Sequence, residues 1–416
     1  MQRLAVALLL AALLTPWRAG AEEVLSLQAL IDEALEKNPE ILRAQQMWEM
    51  ARAKAPQVKA LPDPMLQLEL QNIGLTDYTV GEMDMSMAGV SVSQPIPYPG
   101  KRRLRQQKAE KEAEAEAEMV EVAQRSVVSQ LKVAYYDLAF TYQSLEVVER
   151  TRAVLREFEQ TARTRYSVGQ GMQQDVLKAQ VELSMLVQKS AALEQRQTGI
   201  SAMLNSLLDR PPDAALGRPD TLSPPRPLLP PEELARLTLE HNPELRNRQR
   251  GVEAGELEVA LMRKEYRPDF AVSAGWRSRG GFDDLYQVMV EVELPWQRER
   301  RRYGVQEALA GREAALRDQR ATEEMALAQV RDLASMAATA LQLVALYQTA
   351  IIPQATFSLE SALAAYRVGQ VDFLMLLDNA RALLDNELMV QEQLTDYHRA
   401  VARLEEVVGA LVEQKE

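Results

Sequence analysis

The chain has 416 residues, with 48 lysines and arginines against 60 aspartates and glutamates, and its formal charge of −12 makes nucleic acid a poor partner. No cysteine is present, which excludes disulfides, thiolate metal sites and a lipid-bearing N-terminal cysteine. Aromatic residues are only 5% while alanine, leucine, glutamate, glutamine and arginine dominate, a bias toward long helices and coiled coils over a broad globular core.

Met1-Gln2-Arg3, the apolar run Leu4 to Leu14 and the small triplet Ala19-Gly20-Ala21 read as a secretory signal over residues 1–21. That run is too short to span a bilayer as a helix, and no later segment reads as reaching the roughly 18 apolar residues required. Residues 22–210 form a first structural repeat. It starts a helix at Asn38-Pro39-Glu40, alternates Leu66, Leu68 and Leu70 with Gln67, Glu69 and Gln71, and alternates again at Val90-Ser91-Val92-Ser93 before Pro95. Period two with apolar-out and polar-in is the pattern of a transmembrane barrel strand. Between these strands Met83, Met85 and Met87 alternate, placing three thioethers on one side of an extended segment. Thioethers suit soft monovalent copper or silver, and methionine also serves as flexible apolar filler.

From Lys101 to Val168 there are 68 residues without glycine or proline. As one helix at 1.5 Å per residue this stretch would be about 100 Å long. Val120, Val127, Ala134, Val148, Leu155 and Ala162 lie on one seven-residue line and Leu131, Leu138 and Leu145 on a second, which is coiled-coil spacing. After a turn at Gly169 the line resumes with Ala179, Leu186, Leu193, Ile200 and Leu207. Eight prolines mark residues 211–231 as an extended linker. Residues 232–416 then repeat the scheme: Asn242-Pro243-Glu244, strands through Phe270, Val272, Ala274 and Trp276 and through Val288, Val290, Val292 and Leu294, a helix interrupted at Pro353, a turn at Gly369 and a last helix carrying Leu376, Leu383, Val390, Tyr397, Leu404 and Leu411. The two repeats are expected to form one intertwined unit. Four strands cannot close a barrel, since about eight is the minimum and an open edge cannot face lipid, so the chain must oligomerise; counting alone permits a dimer, trimer or tetramer.

The twin Asn-Pro-Glu helix starts, the hairpins ending in Pro95 and Pro295, and the twin Tyr-x-Val-Gly turns at Tyr166 and Tyr366 resemble the TolC-type outer-membrane efflux proteins over essentially the whole mature chain. The segment Leu61-Pro62-Asp63-Pro64-Met65 is similar to the heavy-metal branch of that family. The resemblance implies a mainly α fold with a small β part. Long antiparallel coiled-coil hairpins would build a trimeric α-barrel, and four strands per chain would contribute to a 12-stranded transmembrane β-barrel. It implies a homotrimer in outer-membrane lipid that meets a periplasmic adaptor (membrane fusion) protein and an inner-membrane pump. As the channel of a tripartite efflux (RND-type) or secretion system it would conduct metals, drugs or other solutes passively, without a cofactor. It places adaptor-docking tips at Val168, Gly169, Val368 and Gly369, and a periplasmic gate at Tyr366, Asp175 and Asp378. Val371 stands where the family's linking arginine would be and Met375 where its outer aspartate would be, which implies a weaker gate. Three copies of Asp378 around a trimer axis would form a cation-binding ring.

The clusters Lys101-Arg102-Arg103-Arg105 and Arg298-Arg300-Arg301-Arg302 each follow a strand-ending proline by a few residues. They suit either anionic headgroups at the inner barrel rim or a solvated helix start. No nucleophile elbow, phosphate loop or metal-ligand spacing occurs, so no enzyme is expected. The alternative, a periplasmic coiled-coil scaffold, would have no use for four alternating strands.

Overall fold

A computed structural model describes residues 25–73, 79–82 and 85–414; the expected signal and Met83 lie outside them. The elements in chain order are α1 (Leu27–Lys37), α2 (Pro39–Lys59), β1 (Met65–Gln71), β2 (Met87–Ile96), α3 (Lys101–Ser167), α4 (Gln173–Leu207), α5 (Pro231–His241), α6 (Pro243–Lys264), β3 (Asp269–Arg279), β4 (Phe282–Glu293), α7 (Arg298–Leu346), α8 (Ile352–Arg367) and α9 (Phe373–Val408). The protein is therefore mainly helical with one small sheet.

Contacts divide the chain into two compact units, each assembled from both halves of the sequence. The first comprises Val128–Pro227, Ser335–Ala402 and the described residues up to Asn38; the second comprises Pro39–Val127, Leu228–Ala334 and the residues from Arg403 onward. The long helix α3 contributes to both.

The sheet lies in the second unit and is antiparallel, with strand order β1-β2-β3-β4. Its register lines up the period-two pattern of every strand. Leu66, Val92, Ala274 and Val288 form one rung, and Leu68, Val90, Trp276 and Tyr286 the rung two residues on. On this face Leu68, Tyr286 and Val288 are about four-fifths exposed, an apolar surface with nothing of this chain against it. The intervening rungs are polar or small, such as Gln67, Ser91, Gly275 and Gln287. There Arg277 on β3 crosses β2 to hold Glu69 on β1, with nitrogen–oxygen distances of 2.7 and 3.0 Å. It passes directly over Gly89, where a Cβ would come within 2.6 Å of its Cγ. β1 and β4 are the edges.

α3 runs unbroken for 67 residues. Within the first unit its seam residues Leu131, Val148, Leu155 and Ala162 are buried, and Val148, Leu155 and Ala162 pack in one core with Ala179 and Leu186 of α4 and with Leu376, Leu377 and Leu384 of α9. The interruption expected at Pro353 takes the form of a π-helical turn, Tyr347–Ile351, which lets α8 begin with the proline in its first turn, where no N–H is needed. Two expectations change. Leu411 lies past the end of α9 and is exposed, and Val412 is buried in its place. One stretch within Arg298–Arg367 does prove long and apolar enough to cross a membrane. Its apolar residues are spread round the helix, with Ala337, Ala340 and Val344 buried and Met336 and Leu346 half exposed, as for a helix with neighbours on more than one side.

In the linker, residues 211–231, Leu25 bridges to Pro219, and the buried Tyr135 hydroxyl donates to the Leu25 carbonyl (3.0 Å) while accepting from the Asp220 N–H (2.9 Å). Asn38 donates to the Leu207 carbonyl (2.8 Å) at the end of α4, and Asn242 to the Val407 carbonyl (2.7 Å) near the end of α9. The side chain that precedes each Pro-Glu helix start thus closes the end of the long helix of its own half.

Candidate functional site

Both helical hairpins turn in the same way. Gly169 and Gly369 adopt φ of +73° and +75°, a left-handed conformation that a side chain would oppose. Gly169 N–H bonds Tyr166 O (3.0 Å) and Gln170 N–H bonds Arg165 O (2.9 Å); Gly369 and Gln370 repeat this with Tyr366 and Ala365 at the same distances. This is the Schellman closure, which satisfies the last helical carbonyls. Val168 and Val368, just before the glycines, are 63% and 70% exposed, although both are apolar. The turns differ on the exit side. Asp372 accepts from the Met375 N–H (2.9 Å) and so caps α9, whereas Met172 stands at the same place before α4 and caps nothing.

Inside the two turns, still within the first unit, Tyr366 is buried against Phe373, with ring centres 5.4 Å apart. The guanidinium of Arg165, from the last turn of α3, lies 4.7 Å from the Tyr366 ring centre and donates to the Tyr366 carbonyl and, at 3.2 Å, to the Gln170 carbonyl. One side chain therefore grips both turns, through a cation–π contact and two carbonyls. The Tyr366 hydroxyl has no acceptor within ordinary hydrogen-bond distance. Burial, and then the negative charge of Asp175, hold its pKa above the usual tyrosine value, against the opposing pull of Arg165.

Thus two of the expected gate residues, Tyr366 and Asp175, come together. Val371 packs against the core, and Met375 is half exposed on α9. Asp378, one turn further, is exposed, and its charge acts with that of Asp385 on Arg381, which is paired to the buried Glu182 of α4. Arg165 was not foreseen. The available signal was asymmetry within the repeat, because the matching residue of the second turn is Ala365. Of the thioether group, Met85 is 57% exposed and Met87 is buried. No group of three or more His, Cys, Asp or Glu residues suited to a metal ion occurs among the described residues.

The second unit thus presents a sheet with an exposed apolar face and two open edges, and the first unit two paired helical hairpins. The sequence matches the outer membrane efflux protein family over residues 30–209 and 234–410, so the chain belongs to that family. It is an outer-membrane channel protein and not an enzyme. The fold is similar to those of the outer membrane protein VceC of Vibrio cholerae (TM-score 0.78, 17% identity, covering 92% of this chain and 96% of that one) and of CusC (0.80, 16%, 92% and 92%). It is also similar to the outer membrane channel MtrE of Neisseria gonorrhoeae (0.74, 16%, 92% and 89%). No curated protein matches the chain in sequence.

Proposed function

We propose that three copies of this chain close a twelve-stranded barrel and a helical tunnel, forming the passive exit duct of a tripartite pump. The observation that carries the reading is the pair of open sheet edges, β1 and β4, flanking an apolar outer face. In hydrocarbon, unpaired edge groups cost several kcal/mol each, about the penalty for burying unbonded polar groups, so the edges must meet those of other copies. The two sequence repeats, 22–210 and 232–416, joined by residues 211–231, act here as one intertwined body. A periplasmic adaptor docks at the exposed turns Val168-Gly169 and Val368-Gly369, and an inner-membrane pump supplies metals or drugs. A soluble scaffold accounts for the helices but not for the sheet. Native mass spectrometry of the detergent-extracted mature chain is expected to give the trimer mass, with ion conductance in planar bilayers; a soluble periplasmic monomer would sink the reading.

The tips form the gate. Arg165 takes the part left vacant at Val371, and with Tyr366 and Asp175 it locks the two turns of each chain together. Asp378 rings the bore. Arg165→Ala is expected to raise single-channel conductance and open probability, and Tyr366→Phe to leave them near wild type, because the ring and carbonyl contacts survive. Asp378→Ala should weaken block by multivalent cations, and unchanged block would remove Asp378 from the bore.

A further inference from the structure

The two basic clusters that follow the strands have different fates. In the first, Lys101 is 1% exposed and donates to Glu265 (3.0 Å), Asp269 (2.9 Å) and the Arg267 carbonyl (3.3 Å), while Arg105 pairs with Glu265 at 3.6 Å. Lys101 is thus spent inside the fold, and Arg105 is held at its surface by Glu265. In the second, Arg301 donates to the Glu265 carbonyl (2.6 Å) and Arg302 reaches Glu299 only at 3.4 Å, between two exposed side chains. Arg298 and Arg300 are exposed and have no side-chain partner among the described residues, and the same is true of Arg103 in the first cluster.

These cations stand at one end of the sheet. β2 and β4 run in the same direction and both lead into helices, so Arg103 and the Arg298–Arg302 segment share the helix-proximal rim. Trp296, 82% exposed, and Tyr303, 59% exposed, flank the second cluster, and Leu294, half exposed, precedes it. Lys59, Arg102 and Tyr98 line the surface beside Arg103. Nearby acids offset only part of this charge: Asp269 and Glu265 are taken by Lys101, Glu299 is shared with Arg302, Asp63 stands exposed before β1, and Glu291 and Glu293 alternate onto the polar face of β4, away from Val290 and Val292. An amphipathic aromatic next to free arginines, continuous with an apolar sheet face, is the chemistry of a membrane interface that carries negative charge.

We propose that this rim binds the headgroups of anionic phospholipids in the inner leaflet, through Arg103, Arg298 and Arg300 with Trp296 seated at the interface. The inference rests on the membrane-duct reading. The test is native mass spectrometry of the full-length trimer from nanodiscs holding phosphatidylcholine and phosphatidylglycerol in equal amounts. Wild type is expected to retain phosphatidylglycerol preferentially, the preference falling about fivefold for each of Arg103→Gln, Arg298→Gln and Arg300→Gln. Arg320→Gln, an exposed charge loss farther along α7, is expected to leave it unchanged. Wild type without preference, a triple variant that keeps it, or equal loss in Arg320→Gln overturns the proposal alone. Failure of wild type to enter nanodiscs overturns the duct reading with it.

Discussion

Between Lys108 and Glu121, α3 is held to α6 by charge; between Val147 and Ala162 the same helix is held by a dry apolar core. In the second unit Lys108 pairs with Glu258 (2.8 Å), Lys111 with Glu253 (3.0 Å), Glu114 with Arg250 (3.3 Å) and Glu118 with Arg246 (2.8 Å). α3 is basic and then acidic along this stretch, and α6, running the other way, is acidic where α3 is basic. Sliding the pair by two turns would set like charges together. On the α3 side what is buried there is small, Ala109 and Ala113, while α6 buries Leu245, Val252, Ala254, Val259 and Leu261. In the first unit Phe158, Leu155, Leu186, Phe373 and Leu376 are all buried in one core, accompanied by the ion pairs Arg150–Glu387 (3.7 Å), Lys189–Asp385 (3.8 Å) and Arg381–Glu182. Large apolar side chains supply most of the stability and little of the register, whereas a charge ladder of part-exposed pairs, each contributing roughly 0.2–1 kcal/mol, mainly sets register.

The largest expected effect is therefore in the core. Phe158→Ala should cost about 4 kcal/mol, read as a lowered denaturant midpoint, with hydrogen exchange accelerated in residues 147–162 and little changed in 108–121. Next comes Lys101→Met, about 3 kcal/mol, because it strands the Glu265 and Asp269 carboxylates around a buried position. A near-neutral result there would mean that water reaches the site. Arg246→Glu, which faces Glu118 and Glu121, should cost on the order of 1–2 kcal/mol and be partly rescued by Glu118→Arg; a double-mutant cycle without coupling would break the ladder model.

These differences track what could be read in the sequence. The core seams and four strands were legible because their information is local: Leu155 and Ala162 are seven residues apart, and Leu66 and Leu68 are two. The ladder was not, since Lys111 and Glu253 are far apart in sequence and neither departs from an ordinary solvated helix face. Lys101 was misgrouped for the same reason, as it looked like its surface neighbours Arg102 and Arg103 until Glu265 and Asp269 arrived from the other half. At the tips, Tyr366 and Asp175 were found through resemblance. Arg165 was not legible, because the resemblance implies an arginine in the second hairpin and this one lies in the first.

The smallest effect separates the regions by pH. Burial of Glu253 favours its neutral form, but hydrogen bonds from Lys111 and Arg250 outweigh it, so its pKa lies below the usual 4.5. A lowered carboxylate pKa contributes stability in full above 4.5 and loses it as pH falls through the folded-state value. For a pair this exposed the loss is well under about 1 kcal/mol. In the core, Tyr366 is raised above 10.0, so its contribution is intact below that pH and is lost only as pH rises through the higher folded-state value. Acid should thus lower hydrogen-exchange protection, taken relative to the intrinsic amide exchange rate at each pH, in residues 108–121 while sparing 147–162, and strong alkali should lower it at the tips while sparing 108–121. Adding 1 M salt at neutral pH, where screening acts within about 3 Å, should reproduce the acid effect alone; equal response of both segments to acid would show that charge does not hold α3 to α6.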